Sequence, residues 1–353
     1  MIYWIIIVFL SLMSFIGKYN NTYNKIFYYL FITFLFFFIG FRYKISWDWV
    51  NYSNIYEQYK YLTVNEVLEG VEPLFGLTNL LSVNLGFSDI LFNNIVFSII
   101  VCIFLHKFLI RLKAYWLGLF MYFPVHILVV SMGYVRQSVA IAILLYALLK
   151  LWDKKSFQFV FWVLIASFFH RTAIIMFLFF PLYFLNLKGI WEKLYYTFAV
   201  ISITTILYLS TVDESNVYTT GEVSSAGTYL RLFLHIVPIF YYLKYRHIFF
   251  KIKFADFYKV LDLFTILIGM CFFLSLGFST LADRFSLYMV FFNLFVCMSL
   301  YFYLPHQEKF KLVLFIVISY MLSFSIWKIF GFGADDSYIY QNYIINYLTE
   351  SVF

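Results

Sequence analysis

The sequence predicts an all-α, polytopic integral membrane protein with about twelve transmembrane helices, and three observations carry that expectation. Hydrophobic residues make up 64% of the 353 and charged residues only 12%, with a mean hydropathy of +0.86, which is more apolar surface than a soluble domain of this length can bury. Apolar runs recur at the length a bilayer crossing needs, roughly 17 to 25 residues, and short charged breaks separate them. The polar–apolar alternation over about ten positions that marks a membrane barrel is absent.

The runs follow in order. MIYWIIIVFLSLMSFIG has no basic n-region and no A-x-A cleavage site, so it reads as a retained first span over 2–17. A second span covers 26–41. An outer segment from 42 to about 87 comes next, too long for a turn; within it VEPLFGLTNLLSVNLGF is apolar, short and Gly-interrupted, as suits an interfacial or re-entrant helix. Further spans are expected at 88–105, 114–132, 137–152, 157–169, 172–187, 194–211, 229–243, 260–281, 285–304 and 312–330. The pairs flanking FHR at 169–171 and ADR at 282–284 nearly abut, so each is a helical hairpin or a broken helix. A second long outer segment, VDESNVYTTGEVSSAGT, occupies 212–228, and the whole chain reads as one transmembrane domain.

Charge sets the orientation. With the loop at 18–25 placed inside, 17 of the 25 basic residues fall in inner loops, whereas 13 of the 18 acids fall on the opposite face. The net charge of +7 is spread through short loops and forms no basic face, which excludes nucleic acid as a partner. Cys102, Cys271 and Cys297 lie singly in apolar runs, with no CxxC and no His pair, so neither a disulfide framework nor a metal site is indicated. No P-loop, HExxH or G-x-S-x-G motif occurs, and no cofactor is expected. The excess of Phe and Tyr matches what an AT-rich genome encodes and carries no functional weight.

The outer face is unusual in its arginines. Its eight basic residues include Arg42, Arg136, Arg171, Arg231 and Arg284, and the last four fall at or near the start of a span that runs inward. A cation there opposes both the positive-inside preference and the helix macrodipole. An anionic ligand compensates well, because helix N-termini offer free N–H groups and arginine a planar fork that matches phosphate oxygens. Local pairing, for instance of Arg284 with Asp283, and snorkelling to the interface are the structural alternatives. GYVRQSVAIAILL at 133–145 puts Arg136 and Gln137 at the start of a small-residue helix suited to close packing. FFHR at 168–171 adds His170, a proton carrier near pH 7 or a donor to phosphate. His235 shares a helix face with Arg231 and is a weaker candidate. Asp48, between Trp47 and Trp49, and Glu72 in VEPLF lie in the first outer segment; a carboxylate between indoles suits a sugar, the rings covering C–H faces and the acid taking hydroxyls. Asp262 near an inner span end is expected within reach of inner lysines.

FRYxxxxDWxxYxxxY, EPLF, a YxRQ pair opening a helix, FFHRTA and DRFSLY, in that order over residues 40 to about 290, resemble the EpsG family of membrane proteins, related to the Wzy polymerases of O-antigen and other bacterial surface polysaccharides. The resemblance implies a glycosyltransferase of the bacterial inner membrane, GT-C-like in layout, with its site facing the periplasm. It would join undecaprenyl-diphosphate-linked oligosaccharides in lipopolysaccharide or other polysaccharide biosynthesis, with membrane lipid and a chain-length regulator as partners. Carried over by motif, it singles out Arg42, Asp48, Tyr52, Glu72, Arg136, Gln137, His170 and Arg284; Arg171 and Arg231 rest on the helix-end argument alone. KISWDW departs from the pattern in lacking a glycine before the acid. The chemistry expected is loss of a lipid diphosphate whose charge arginines stabilise, with Asp48 or His170 taking the acceptor proton.

There are two rivals, the first of a different class and the second another lipid-diphosphate enzyme of the same face. Outward arginines could line the anion pocket of a flippase or exporter, although no internal repeat is visible. An O-antigen ligase would act on the same lipid diphosphate and differ only in its acceptor.

Overall fold

The computed structural model describes residues 1–17, 21–46, 48–185, 187–212, 225, 227–331, 334 and 337–350. Trp47, Lys18, Asp213, Glu214, Glu222, Asp335 and Asp336, with most of the second outer segment, lie outside the described residues. Helix accounts for 82% of the chain and no strand occurs among the described residues, in agreement with the all-α expectation.

The helices are α1 (Ile2–Ile16), α2 (Thr22–Gly40), α3 (Asp48–Tyr59), α4 (Val64–Glu69), α5 (Pro73–Asn84), α6 (Leu91–Leu112) and α7 (Tyr115–Tyr122), the last continued by a π-helix over Phe123–Ser131. They continue with α8 (Val135–Trp152), α9 (Ser156–Phe169), a 3₁₀ stretch Arg171–Phe179 running into α10 (Phe180–Phe184), and α11 (Ile190–Val212). After α12 (Thr228–Phe233), α13 (Ile236–Tyr245) and α14 (Lys251–Lys253) come α15 (Tyr258–Leu274), α16 (Ser279–Ser286), α17 (Val290–Tyr301), α18 (His306–Phe330) and α19 (Tyr343–Glu350). Among the described residues five helical runs are long and apolar enough to cross a membrane: Thr22–Gly40, Leu91–Leu112, Val135–Trp152, Ser279–Tyr301 and His306–Phe330. Shorter apolar helices cover Ile2–Ile16, Tyr115–Ser131, Ser156–Phe169 and Arg171–Phe184.

Local signals set the boundaries. Asn21 caps α2 by accepting from the Tyr23 N–H at 2.9 Å. Thr63 and Glu66 form a reciprocal capping box on α4, and Pro73 opens α5 at a position where its missing N–H costs nothing. The segment from 42 to about 87, expected from the sequence to lie outside, is therefore largely helical, folded as α3, α4 and α5. The break at FHR is confined to His170, between α9 and the 3₁₀ stretch. ADR, by contrast, lies inside α16, and the chain breaks earlier, between Leu274 and Ser279.

The chain divides into two compact units, and each is described by itself. The first comprises Met1–Tyr146, Leu164–Arg171 and Lys328–Phe353; the second comprises Ala147–Val163 and Thr172–Trp327. In the first, α1 packs on α7 and α2 on α6. A Cβ at Gly40 would lie 2.6 Å from Ser98 Oγ, so glycine permits the α2–α6 approach. α3 and α4 pack on α5, which packs on α6, and a buried amide pair, Asn93 Nδ2 donating to Asn79 Oδ1 at 2.6 Å, ties α6 to α5. In the second unit α15 and α12 meet α16, and α13 meets α17. Aromatic residues fill both cores: Phe38 stacks on Tyr340 at 4.5 Å in the first unit, and Phe179 on Phe264 at 4.4 Å in the second. All three cysteines are buried, as packing residues.

Candidate active site

Glu72 is the last residue before α5, and its side chain is only 9% exposed. Three donors converge on it. Arg136 Nη1, from the second residue of α8, donates to Oε2 at 2.6 Å. His170 Nδ1 lies 2.7 Å from Oε1, and the backbone N–H of Arg171 donates to the same oxygen at 3.2 Å. Burial alone would raise the Glu72 carboxyl; the hydrogen bond and charge of His170, with those of Arg136, outweigh it and hold the group at about 2. Glu72 is thus ionised at neutral pH and only accepts. It follows that His170 Nδ1 carries the proton it shares with Glu72, and Nε2 is the ring nitrogen that does not face the carboxylate. One carboxylate fixes both the place of a guanidinium and the tautomer of an imidazole.

An aromatic wall completes the arrangement. The Arg136 guanidinium lies 5.4 Å from the centre of the Phe75 ring and 5.9 Å from that of Tyr52. It also donates to the Tyr52 hydroxyl, whose burial raises the phenol, so that it remains protonated. Asp48 opens α3 one turn before Tyr52, with Asn51 Nδ2 donating to its Oδ1 at 3.3 Å and its own N–H on Ser46 Oγ at 3.4 Å. Trp49 packs on Tyr43 at 5.8 Å and Tyr343 at 6.3 Å. Gln137 is buried beside Arg136 in α8.

Arg42 follows α2 closely and is 1% exposed. Its Nη1 donates to the Ile39 carbonyl at 3.2 Å, while its buried Nε meets no acceptor. Among the described residues no carboxylate pairs with it; the phenols of Tyr52, Tyr343 and Tyr338 act on it instead, and burial pushes the guanidinium down to about 10. The C-terminal segment closes this corner. Arg42 and Asn342 form an antiparallel bridge, Tyr43 N–H donates to Gln341 O at 3.0 Å, Tyr343 N–H to Phe41 O at 2.8 Å, and Ser46 N–H to Ser337 O at 2.7 Å.

The remaining arginines lie in the second unit. Arg231 pairs through both Nε and Nη2 with the buried Asp283 carboxylate. Asp283 thus goes to Arg231 and leaves its sequence neighbour Arg284 half-buried on α16. Arg231 is the fourth residue of α12 and Arg284 the sixth of the helical run Ser279–Tyr301, near the helix starts that the sequence indicated, and Asp283 neutralises Arg231 there. His235 is buried on Asn293, Nδ1 to Oδ1 at 2.9 Å. Asp262 pairs with an arginine, Arg246 Nη2 at 2.5 Å, and not with a lysine.

The first unit therefore brings together Glu72, Arg136, His170, the Arg171 backbone and Tyr52, with Asp48 one turn away. Sequence reasoning missed the C-terminal contribution of Tyr338, Asn342 and Tyr343, and it missed the hub role of Glu72. The alternation of Tyr and Asn in YIYQNYIINY was a visible signal for the former; nothing local marks the latter, because its partners are 64 and 98 residues away.

No curated protein and no solved structure matches the chain. The family model for the EpsG family matches residues 25–349, a stretch that includes every residue of the Glu72 cluster and most of both units. The chain belongs to the EpsG family, which is associated with polysaccharide-polymerase-like membrane proteins.

Proposed function

We propose that the protein polymerises lipid-linked oligosaccharide repeat units on the periplasmic side of a bacterial inner membrane, its chain crossing the bilayer about twelve times. The observation that carries this reading is the single ionised carboxylate of Glu72 shared by Arg136 and His170.

A hydroxyl on the non-reducing sugar of the incoming repeat attacks the anomeric carbon of the growing chain. The new C–O bond forms as the bond from that carbon to the diphosphate oxygen breaks, and the hydroxyl proton passes to His170 Nε2. No nucleotide is consumed, because the diphosphate is itself the leaving group. His170 is favoured over Asp48 as the base: Glu72 fixes its tautomer, as carboxylates orient imidazole bases elsewhere. Arg136, held by Glu72 and stacked on Phe75 and Tyr52, is a preorganised donor to developing negative charge. Asp48, Trp49 and Tyr52 take sugar hydroxyls and C–H faces in this reading. Arg284 enters from the motif resemblance alone.

Deleting the gene tests the reading. The expected result is surface glycan reduced to a single repeat unit, restored by the wild type but not by His170→Ala, Arg136→Ala or Arg284→Ala at equal protein level. Absence of periplasmic repeats would instead identify a flippase, and long chains retained on undecaprenyl carrier a ligase.

A further inference from the structure

The outer-face arginines differ in how their charge is balanced. Arg136 is neutralised by Glu72 and Arg231 by Asp283. Arg42 is the most deeply buried of these three and has no carboxylate partner among the described residues, an orphaned Nε, and a surround of tyrosines. An unpaired ion out of water costs several kcal/mol, a cost that a purely structural residue gives no reason to retain. Its neighbourhood is joined by backbone hydrogen bonds between two chain-distant segments, 41–46 and 337–343. Arg42 also lies two residues past the end of a candidate membrane span.

We propose that Arg42 is the subsite for the diphosphate of the lipid-linked substrate, and that residues 337–343 form a strap which lifts from residues 41–46 to admit it and re-forms over it. The guanidinium supplies a bidentate fork to phosphate oxygens, and the Tyr52 hydroxyl a further donor, whereas that of Tyr343 is given to Asp89 Oδ2. This deepens the polymerase reading and rests on it for the identity of the lipid; the recognition of a diphosphate stands on the arginine itself.

Full-length protein in detergent, with geranylgeranyl diphosphate, inorganic pyrophosphate and glucuronate as probes, tests the assignment by thermal shift and by hydrogen exchange at the Tyr43, Ser46 and Tyr343 amides. The two diphosphates are expected to raise the melting temperature and to change exchange at these three amides. Arg42→Gln is expected to melt no lower than the wild type without ligand, since it removes an uncompensated charge while keeping a donor for Ile39, and to bind at least about tenfold more weakly. Arg42→Lys, which keeps the charge and loses the fork, is expected to fall between. A diphosphate response unchanged in Arg42→Gln, unliganded Arg42→Gln clearly less stable than wild type, or a response to glucuronate alone would each overturn the proposal. His170→Ala separates the two readings: it should bind geranylgeranyl diphosphate like the wild type and fail to polymerise. If binding depends on Arg42 but gene deletion leaves polymer intact, the polymerase reading falls and the subsite stands; the reverse pattern does the opposite.

Discussion

Replacing Glu72 by Gln keeps the shape of the side chain and removes its charge, so it isolates what the carboxylate does. Wild-type Glu72 accepts from Arg136 at 2.6 Å, from His170 at 2.7 Å and from the Arg171 amide at 3.2 Å. The carbonyl of Gln can keep the contacts on one side, but its amide then points a donor at a donor on the other. The loss is one charge-assisted hydrogen bond, about 1.5–3 kcal/mol. The Arg136 side chain is 36% exposed and water can partly replace its lost partner, so about 2 kcal/mol is the expected destabilisation. In a chain of this length that lowers the melting temperature by a few degrees, about 2–4 °C on the scaling for large domains. Activity should fall much further, because both the tautomer of His170 and the aim of Arg136 are lost; positioned general-base catalysis alone is worth about 10²–10⁴. The assay is the length distribution of glycan made from lipid-linked repeats by purified protein, alongside a thermal melt of the same samples. Wild-type chain lengths from Glu72→Gln would refute the site, and so would a loss of activity no larger than the loss of folded protein.

Four further outcomes follow from the same geometry. Because the Glu72 carboxyl is lowered from 4.5 to about 2, its contribution to stability is complete above about pH 4.5 and declines as pH falls toward 2; the melting-temperature gap between wild type and Glu72→Gln should be present at neutral pH and close in acid. Tyr52→Phe keeps the ring under Arg136 and removes only the hydroxyl, so a stability change near 1 kcal/mol is expected in a melt, with shortened glycan chains. Arg231→Ala strands the Asp283 carboxylate, whose side chain is 2% exposed, and should cost about 3–5 kcal/mol, read as lost folded protein, with partial recovery in Arg231→Ala/Asp283→Ala. Gly40→Ala places a Cβ 2.6 Å from Ser98 Oγ and should cost about 1–3 kcal/mol in a melt, relieved by Ser98→Gly on the facing helix.

Hydropathy made the helices legible, because a bilayer-length apolar run has few other ways to satisfy its backbone. Of the twelve apolar runs, those at 26–41, 88–105, 137–152, 285–304 and 312–330 coincide with the helical runs long enough to cross a membrane, the run at 260–281 is broken between Leu274 and Ser279, and the helix at VEPLF is α5. Of the site, residue types were legible but their pairing was not. Arg136, His170 and Glu72 could each be named from a short motif, yet no periodicity connects positions 64 and 98 residues apart. Asp283 shows the converse: its neighbour Arg284 was the obvious partner by sequence, and helix geometry gives it to Arg231, 52 residues away. Adjacent residues on a helix point about 100° apart, so i,i+1 proximity says little about an ion pair. The strap escaped notice because its order comes from pairing with residues 41–46 and not from any pattern of its own.

Charge compensation changes what the outer arginines are for. From the sequence alone, a cation at a helix start called for an anionic ligand; the fold answers that call for Arg136 and Arg231 with carboxylates of the protein. A guanidinium already paired does not attract a diphosphate as a bare one does, since any new oxyanion must compete with the resident carboxylate. What pairing gives Arg136 is direction: its donors are fixed before substrate arrives, the condition under which electrostatic stabilisation of a developing charge is largest. Strong ground-state capture of the diphosphate at that arginine would spend binding energy without lowering the barrier. A division of labour, with Arg42 holding the diphosphate and Arg136 and His170 acting on the sugar bond, fits both the guanidinium that Glu72 neutralises and the one that has no carboxylate partner among the described residues.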